Sequence, residues 1–213
     1  MRSGSQQTHR HAAPVSAGTP ETLSSPGHNL PLYEHLVQFY ETDAFLLDTL
    51  GEFIGAGLGS GAACILIATQ AHREELLPRL LANGLDPARI PERYLVLDAA
   101  ETLAQFLEAG LPDPQRFARV IGAHIEQAER CAPRVRIFGE IVALLWQLGN
   151  LTAAVQLEAL WNELHSPSCQ LSLLSGTHAK QKKERIWTAT LRSGRLNTAY
   201  HWQGEFLTLA KLK

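Results

Sequence analysis

Thr69, His72, Asp98, Glu101 and Glu140 each close or closely follow an apolar run of strand length. Ligands of open parallel sheets bind beyond the carboxyl ends of the strands, so these side chains form a candidate rim. Its carboxylates and imidazole suit hydrogen bonding to a small polar molecule, or acid–base proton transfer if a reactive partner were supplied. Ser175-Gly176 ends a further run of the same kind. Thr69 and Asp98 are also residues that cap helices, and capping does not exclude ligand contact.

A second group is aromatic. Phe39, Tyr40, Phe138, Trp146 and Trp161 share segments with His35, Glu140, Glu158 and Asn162. Aromatics at helical spacing usually fill a core. The other reading is a mostly apolar pocket carrying a few polar groups, the usual form of a small-molecule site.

Other chemistries find no support. The glycines from Gly55 to Gly61 lack the lysine of a phosphate loop, and they run from helix to strand instead of strand to helix. His9 and His11 sit near the N-terminus, and His28, His35, His72 and His124 are scattered, without H-E-x-x-H. Cys64, Cys131 and Cys169 form no C-x-x-C, and their odd number argues against a disulfide framework. Cys64 and Cys169 read as buried small hydrophobes. No G-x-S-x-G elbow is present. We expect no metal, no cofactor and no enzymatic activity.

The elements that must hold these residues alternate in period. Ala44–Ala56 predicts a helix with Leu46, Leu47, Leu50, Phe53 and Ile54 inward, ended by Gly57-Leu58-Gly59-Ser60-Gly61. Ala63–Thr69 is apolar on both faces, as in a central parallel strand. His72–Asn83 predicts a helix burying Leu76, Leu77, Leu80 and Leu81. Tyr94–Asp98 predicts a strand and Ala99–Ala109 a short helix, stopped by Gly110 and Pro112. Asp113-Pro114 opens the next helix, striped by Phe117, Val120, Ile121, Ile125 and Ala128. Arg134–Gly139 predicts a strand, Ile141–Leu164 a helix broken at Gly149-Asn150, and Gln170–Leu174 another strand. This rhythm implies an α/β domain with a doubly wound, mainly parallel sheet. Beyond Gly176 the rhythm fades, and residues 179–213 predict a hairpin or a short helix.

Residues 1–30 are rich in Ser, Pro, Gly, Thr and His, and we expect them to be disordered. Residues 31–178 form the expected domain, and residues 179–213 a basic extension. The net charge of −2 hides a strong asymmetry. Residues 31–179 carry 9 Arg, no Lys and 18 acidic residues, whereas residues 180–213 carry 8 basic and 2 acidic ones. An acidic body repels nucleic acid, and a short basic extension is most simply a solvated tail. No apolar run is long enough to span a bilayer, and the N-terminus lacks the apolar core of a secretory signal. A cytoplasmic location follows as an expectation.

Several segments resemble a known family. HLVQFY from His35, FIGAGLGSG from Phe53, IATQAHR from Ile67, LVLDAAETL from Leu95, VRIFGEIVALLW from Val135 and LEALWNEL from Leu157 are similar to the MEDS domain. That sensory domain is named for methanogens, methylotrophs and a dichloromethane-responsive repressor. The resemblance covers about residues 33–175. It implies a RecA/KaiC-like fold with helices on both faces and a degraded nucleotide site, in line with the missing phosphate loop. It also implies a sensor of small organic compounds, such as hydrocarbon derivatives.

By the same resemblance, His35, Phe39 and Tyr40 match the opening motif, and Thr69 and His72 the motif after the first long apolar strand. Asp98 and Glu101 match D-A-x-E, and Phe138, Gly139 and Glu140 match F-G-E. Trp146, Glu158, Trp161 and Asn162 match the last helical stretch. All of these are candidate ligand-binding residues. The chain departs from the family after Leu174, where Ser175-Gly176-Thr177-His178 replaces a Cys-Ala-Tyr-Pro-like ending.

Two functional readings follow. The first is a stand-alone sensory module for a small organic ligand, read out by a partner in trans such as a histidine kinase or a transcription regulator. The second is a ligand-free interaction module derived from a KaiC-like ATPase fold, with a homo-oligomer as one form of its self-association. Neither reading requires a membrane or a specific nucleic acid.

Overall fold

The computed structural model describes residues 34–164, 170–178, 198–203 and 206–211. In chain order the elements are β1 (Glu34–Tyr40), α1 (Asp43–Gly59), β2 (Ala63–Ala68), α2 (Gln70–Ala82), β3 (Tyr94–Asp98), α3 (Ala99–Phe106), β4 (Leu107–Glu108), β5 (Leu111–Pro112), α4 (Pro114–Glu129), β6 (Arg134–Gly139), α5 (Ile141–Gln147), α6 (Leu151–Glu163), β7 (Gln170–His178), β8 (Thr198–Gln203) and β9 (Phe206–Lys211). The expected disordered segment, residues 1–30, and Cys169 lie outside the described residues.

The main sheet has seven strands in the order β3-β2-β6-β7-β1-β9-β8. The first five run parallel, and β9 joins β1 antiparallel with β8 beyond it. The hairpin alternative for the basic extension therefore holds for the backbone of β8 and β9.

Strand β2 shows why the sheet is covered on both sides. All six of its residues are buried. Successive side chains of a strand point to opposite faces. Ala63, Ile65 and Ile67 join a core with α3, α4, α5 and α6, whereas Cys64, Leu66 and Ala68 join a core with α1 and α2. The helices thus lie on both faces of a mainly parallel sheet, as the period change in the sequence predicts.

Local signals set the ends. Thr42, Thr69, Asp98, Asp113 and Asn150 each accept a backbone N–H at the start of a helix. Gly149, at φ +72°, separates α5 from α6 where the break was expected. Gly57 has a different task. A Cβ there would stand 2.7 Å from both Arg136 Cδ and Cys64 Sγ, so glycine is what lets α1 lie against the sheet.

Four expectations are corrected. Leu77 and Leu81 are 45% and 48% exposed. Helix α2 buries a single row of three residues spaced four apart, His72, Leu76 and Leu80. Helix α3 stops at Phe106, and Ala109 and Gly110 at φ 48° and 81° turn a small β4–β5 hairpin. Two consecutive positive φ values suit the right-handed twist of such a turn. Strand β7 runs on to His178, so Ser175 and Gly176 lie inside it, paired with Val37 and Gln38. Strand β1 was not foreseen as a strand, because His35 and Gln38 interrupt its apolar pattern. Both are buried, at 8% and 0% exposure.

Among the described residues, no helix is long and apolar enough to cross a membrane.

Candidate functional site

Strands β2 and β6 are parallel neighbours, yet β2 leads into α2 on one face and β6 into α5 on the other. Such a reversal opens a crevice at the carboxyl ends, the favoured ligand position in this architecture. Glu140 stands in that crevice, immediately after β6. Its backbone N–H donates to Ile67 O at 3.0 Å, which ties it to the end of β2.

The Glu140 side chain is 98% enclosed by structure, its exposure being 2%. Its Oε2 accepts from the Thr69 backbone N–H at 2.8 Å and from the Thr69 hydroxyl at 3.4 Å. Its Oε1 lies 2.5 Å from His72 Nδ1. That bond favours the imidazolium and raises the pKa of His72 against the opposing effect of burial. The other ring nitrogen, Nε2, faces Asp43 Oδ1 at 3.6 Å, where the Asp43 side chain is largely in solvent. The Tyr40 ring meets the imidazole edge-on at 6.5 Å between centroids. Burial, with Glu140 and Asp43 close by, pushes the Tyr40 hydroxyl well above its ordinary range.

Asp98 lies next along the rim. Its Oδ1 accepts from the N–H groups of Ala100 and Glu101 at 2.9 and 3.0 Å, and its Oδ2 takes Arg73 Nη2 at 2.7 Å. These bonds hold its carboxyl below the usual range, the Glu101 N–H contributing most. Glu101 itself is exposed. Thr69 and Asp98 therefore do cap helices, and each also bonds a second partner across the rim.

The second cluster lies on the opposite face, under α6. His35 Nδ1 lies 2.8 Å from Asn162 Oδ1, and His35 Nε2 lies 2.9 Å from Ser175 Oγ. Burial pushes the His35 pKa down to about 4, so its ring is neutral. A neutral ring facing an amide oxygen carries its proton on Nδ1, and Nε2 then accepts from the Ser175 hydroxyl. Glu158 Oε2 is 3.4 Å from the same Nε2. Burial pushes the Glu158 carboxyl up to about 8, so two neutral groups face each other rather than an ion pair. Glu158 Oε2 and Asn162 Nδ2 are buried and have no hydrogen-bond partner among the described residues.

The aromatic candidates divide differently. Trp161 packs edge-on against Phe117 at 5.0 Å, and its Cζ2 would stand 3.7 Å from a Cβ on Gly139. Trp146 belongs to the same core, whereas Phe138 is fully buried in the core of the other face. The side chain of Phe39 lies outside the described residues. The candidates are thus distributed over both faces: Tyr40, Thr69, His72 and Glu140 meet at the crevice with Asp98 beside them, while His35, Glu158 and Asn162 meet beneath α6 and Trp161 packs into the core of that face.

Sequence reasoning passed over several members. Asp43 and Arg73 look like ordinary surface charges in helices, and nothing in their spacing marks them. Ser175 was read as a strand end of the rim, and it lies instead within β7, bonded to His35 in the second cluster. Arg136 lies outside both clusters and its role was also missed: its Nη1 donates to Phe53 O at 2.6 Å and its guanidinium lies 5.2 Å from the Phe53 ring centre. An arginine alternating with apolar residues in a strand was the available signal.

Comparison with curated proteins returns no match. A family model does match, over residues 34–180, and it is described as MEDS, the MEthanogen/methylotroph, DcmR Sensory domain. The match spans β1 through β7 and contains every member of both clusters, so the chain belongs to the MEDS family of sensory domains.

Proposed function

We propose that this chain is a cytoplasmic, non-enzymatic sensory module that binds a small organic molecule, of hydrocarbon-derivative type, beneath α6. The observation that carries the reading is the pair of buried, unpartnered polar atoms Glu158 Oε2 and Asn162 Nδ2. A buried polar group without a partner costs about 1–3 kcal/mol, and a ligand is one way to supply the missing bond. Leu173, on the face of β7 that α6 covers, adds apolar surface on the same side of the sheet as His35.

At the crevice Thr69, His72 and Glu140 are spent on one another, which favours a binding module over a catalyst, and Arg73 Nε beside Asp98 is the one crevice atom that is buried without a partner among the described residues. A ligand held under α6 would bear on β1 through His35 and on β7 through Ser175. To signal, it must bind one conformation of this unit better than another. We propose that the shift is read by a partner in trans, a histidine kinase or a transcription regulator. The order of the five parallel strands and the helices on both faces support a RecA/KaiC-like wrapping.

Thermal melts of the full chain test the reading, with a panel of small organic compounds and with Mg-ATP. A ligand at 100 times its dissociation constant adds about 2.7 kcal/mol of stability. A midpoint raised by an organic compound supports the sensor. A shift with Mg-ATP alone would mean a nucleotide site. No shift with any compound favours a ligand-free interaction module.

A further inference from the structure

We propose that Glu158 and Asn162 form a head-group subsite for a neutral carbonyl oxygen, so that the ligand is a small ketone, aldehyde, ester or amide. This rests on the reading that the chain binds a small organic molecule beneath α6. The two residues are four apart on α6 and therefore share one face of the helix. Asn162 is oriented from behind: His35 occupies its Oδ1 at 2.8 Å, which leaves the Nδ2 donor of the same amide free. Both ring nitrogens of His35 are engaged, by Asn162 and Ser175, so His35 acts as a positioning residue.

Glu158 completes the subsite. Among the described residues, the titratable group within ion-pair distance of it is His35, whose ring burial keeps neutral. With no cation beside it, the carboxyl stays protonated below about 8 and can donate through its O–H. Two donors one helical turn apart suit one oxygen that accepts twice, and a carbonyl oxygen has two lone pairs. A carboxylate ligand would add a second desolvated acid, whose burial is costly without a cation. An ammonium ligand would instead require Glu158 to ionise, and its affinity would rise with pH.

The test uses four probes of similar size: propionamide, propionate, propylamine and chloropropane. Binding to the full-length chain is followed by ligand-observed NMR at pH 7 and pH 9, with melts to verify folding. Propionamide should bind at pH 7 and lose about tenfold in affinity by pH 9, as Glu158 ionises. Glu158→Gln keeps a donor at the position, so it should hold affinity within about threefold and remove the pH dependence. Glu158→Leu should cost about tenfold or more at pH 7. If Glu158→Leu does not fold, the pH comparison between wild type and Glu158→Gln decides alone.

Tighter binding of propylamine than propionamide, or tighter binding of propionate, would overturn the carbonyl assignment. So would chloropropane binding that ignores both Glu158 variants, although the sensor reading would then stand. If no probe and no compound of the wider panel binds, the two polar atoms hold only water, and both proposals fall.

Discussion

His72 and Glu140 meet across the switch point of the sheet, with Nδ1 2.5 Å from Oε1. His72 lies in the first turn of α2 on one face, whereas Glu140 precedes α5 on the other. One short contact thus ties the two layers where β2 and β6 part. The buried carboxylate is compensated locally by the Thr69 N–H and by the imidazolium.

Removing that charge should loosen the tie. Glu140→Gln should cost about 1.5–3 kcal/mol in chemical denaturation, the range for a hydrogen bond to a charged group. It should also lower the pKa of His72, which an NMR titration of the ring reads directly. The sign of the pH effect follows from the raised pKa. Stabilisation from His72 is complete below 6.5 and is lost as pH rises through the folded value. Glu140→Gln should flatten that loss. An unchanged His72 titration would show that the contact is not formed in solution.

The cluster under α6 sets a second pH dependence. Glu158 has a folded pKa of about 8 against 4.5, so its contribution is complete below 4.5 and lost as pH rises towards 8. His35 has the opposite sign: its folded pKa of about 4 lies below 6.5, so stability is lost as pH falls from 6.5 towards 4. The two slopes offset each other between 4.5 and 6.5. From 6.5 to 8 only losses remain, from Glu158 and His72, each at most about 1.4 kcal/mol per pH unit. Glu158→Gln should remove its share and so stabilise the chain most near pH 8. Denaturation midpoints at pH 5.5, 6.5 and 8 for the two chains measure this. Parallel curves would mean that Glu158 is ionised and solvated.

Much of this arrangement was legible in the sequence. The apolar runs at Ala63–Thr69, Tyr94–Asp98 and Arg134–Gly139 gave three strands almost to the residue; β2 is buried throughout, as an unbroken apolar stretch requires, whereas β3 at the sheet edge and β6 with its arginines are buried only in part. Asp98, Thr69 and Glu140 followed as their carboxyl ends. Strand β1 was less legible because His35 and Gln38 are buried polar residues, and hydropathy assigns such residues to the surface. The partition of the candidates between faces was not legible either. It depends on which side each helix crosses, and that is a property of the connections and not of local spacing. Leu77 and Leu81 were misplaced for a similar reason. Their period fits a buried stripe, but α2 buries only the row of His72, Leu76 and Leu80 and leaves them exposed beside it.

Asp98 combines a cap and an ion pair, and two substitutions separate them. Asp98→Asn keeps the capping oxygen and gives up the charge facing Arg73, both groups being partly exposed. It should cost under about 1 kcal/mol. Asp98→Ala removes the cap as well and should cost about 1–2 kcal/mol. Neither change touches α6, so both variants should bind an α6 ligand like the wild type. Loss of ligand binding in a folded Asp98→Asn protein would place the ligand at the crevice instead.

Gly57 gives the sharpest packing test. In a free helix alanine is favoured over glycine by about 1 kcal/mol, so propensity alone makes Gly57→Ala stabilising. Here the added methyl would stand 2.7 Å from Cys64 Sγ and from Arg136 Cδ. Neither neighbour yields easily. Cys64 is fully buried in the central strand, and Arg136 is held by its bond to Phe53 O at 2.6 Å. Overpacking of this kind costs about 1–3 kcal/mol, and α1 would have to shift away from the sheet. We expect a net loss of about 1–2 kcal/mol, against a gain of similar size for a freely solvated helix. The double change Gly57→Ala with Arg136→Ala should cost less than the sum of its parts, because removing the Cδ makes room for the methyl. An additive outcome in denaturation would mean that Arg136 is not what holds the helix at its distance.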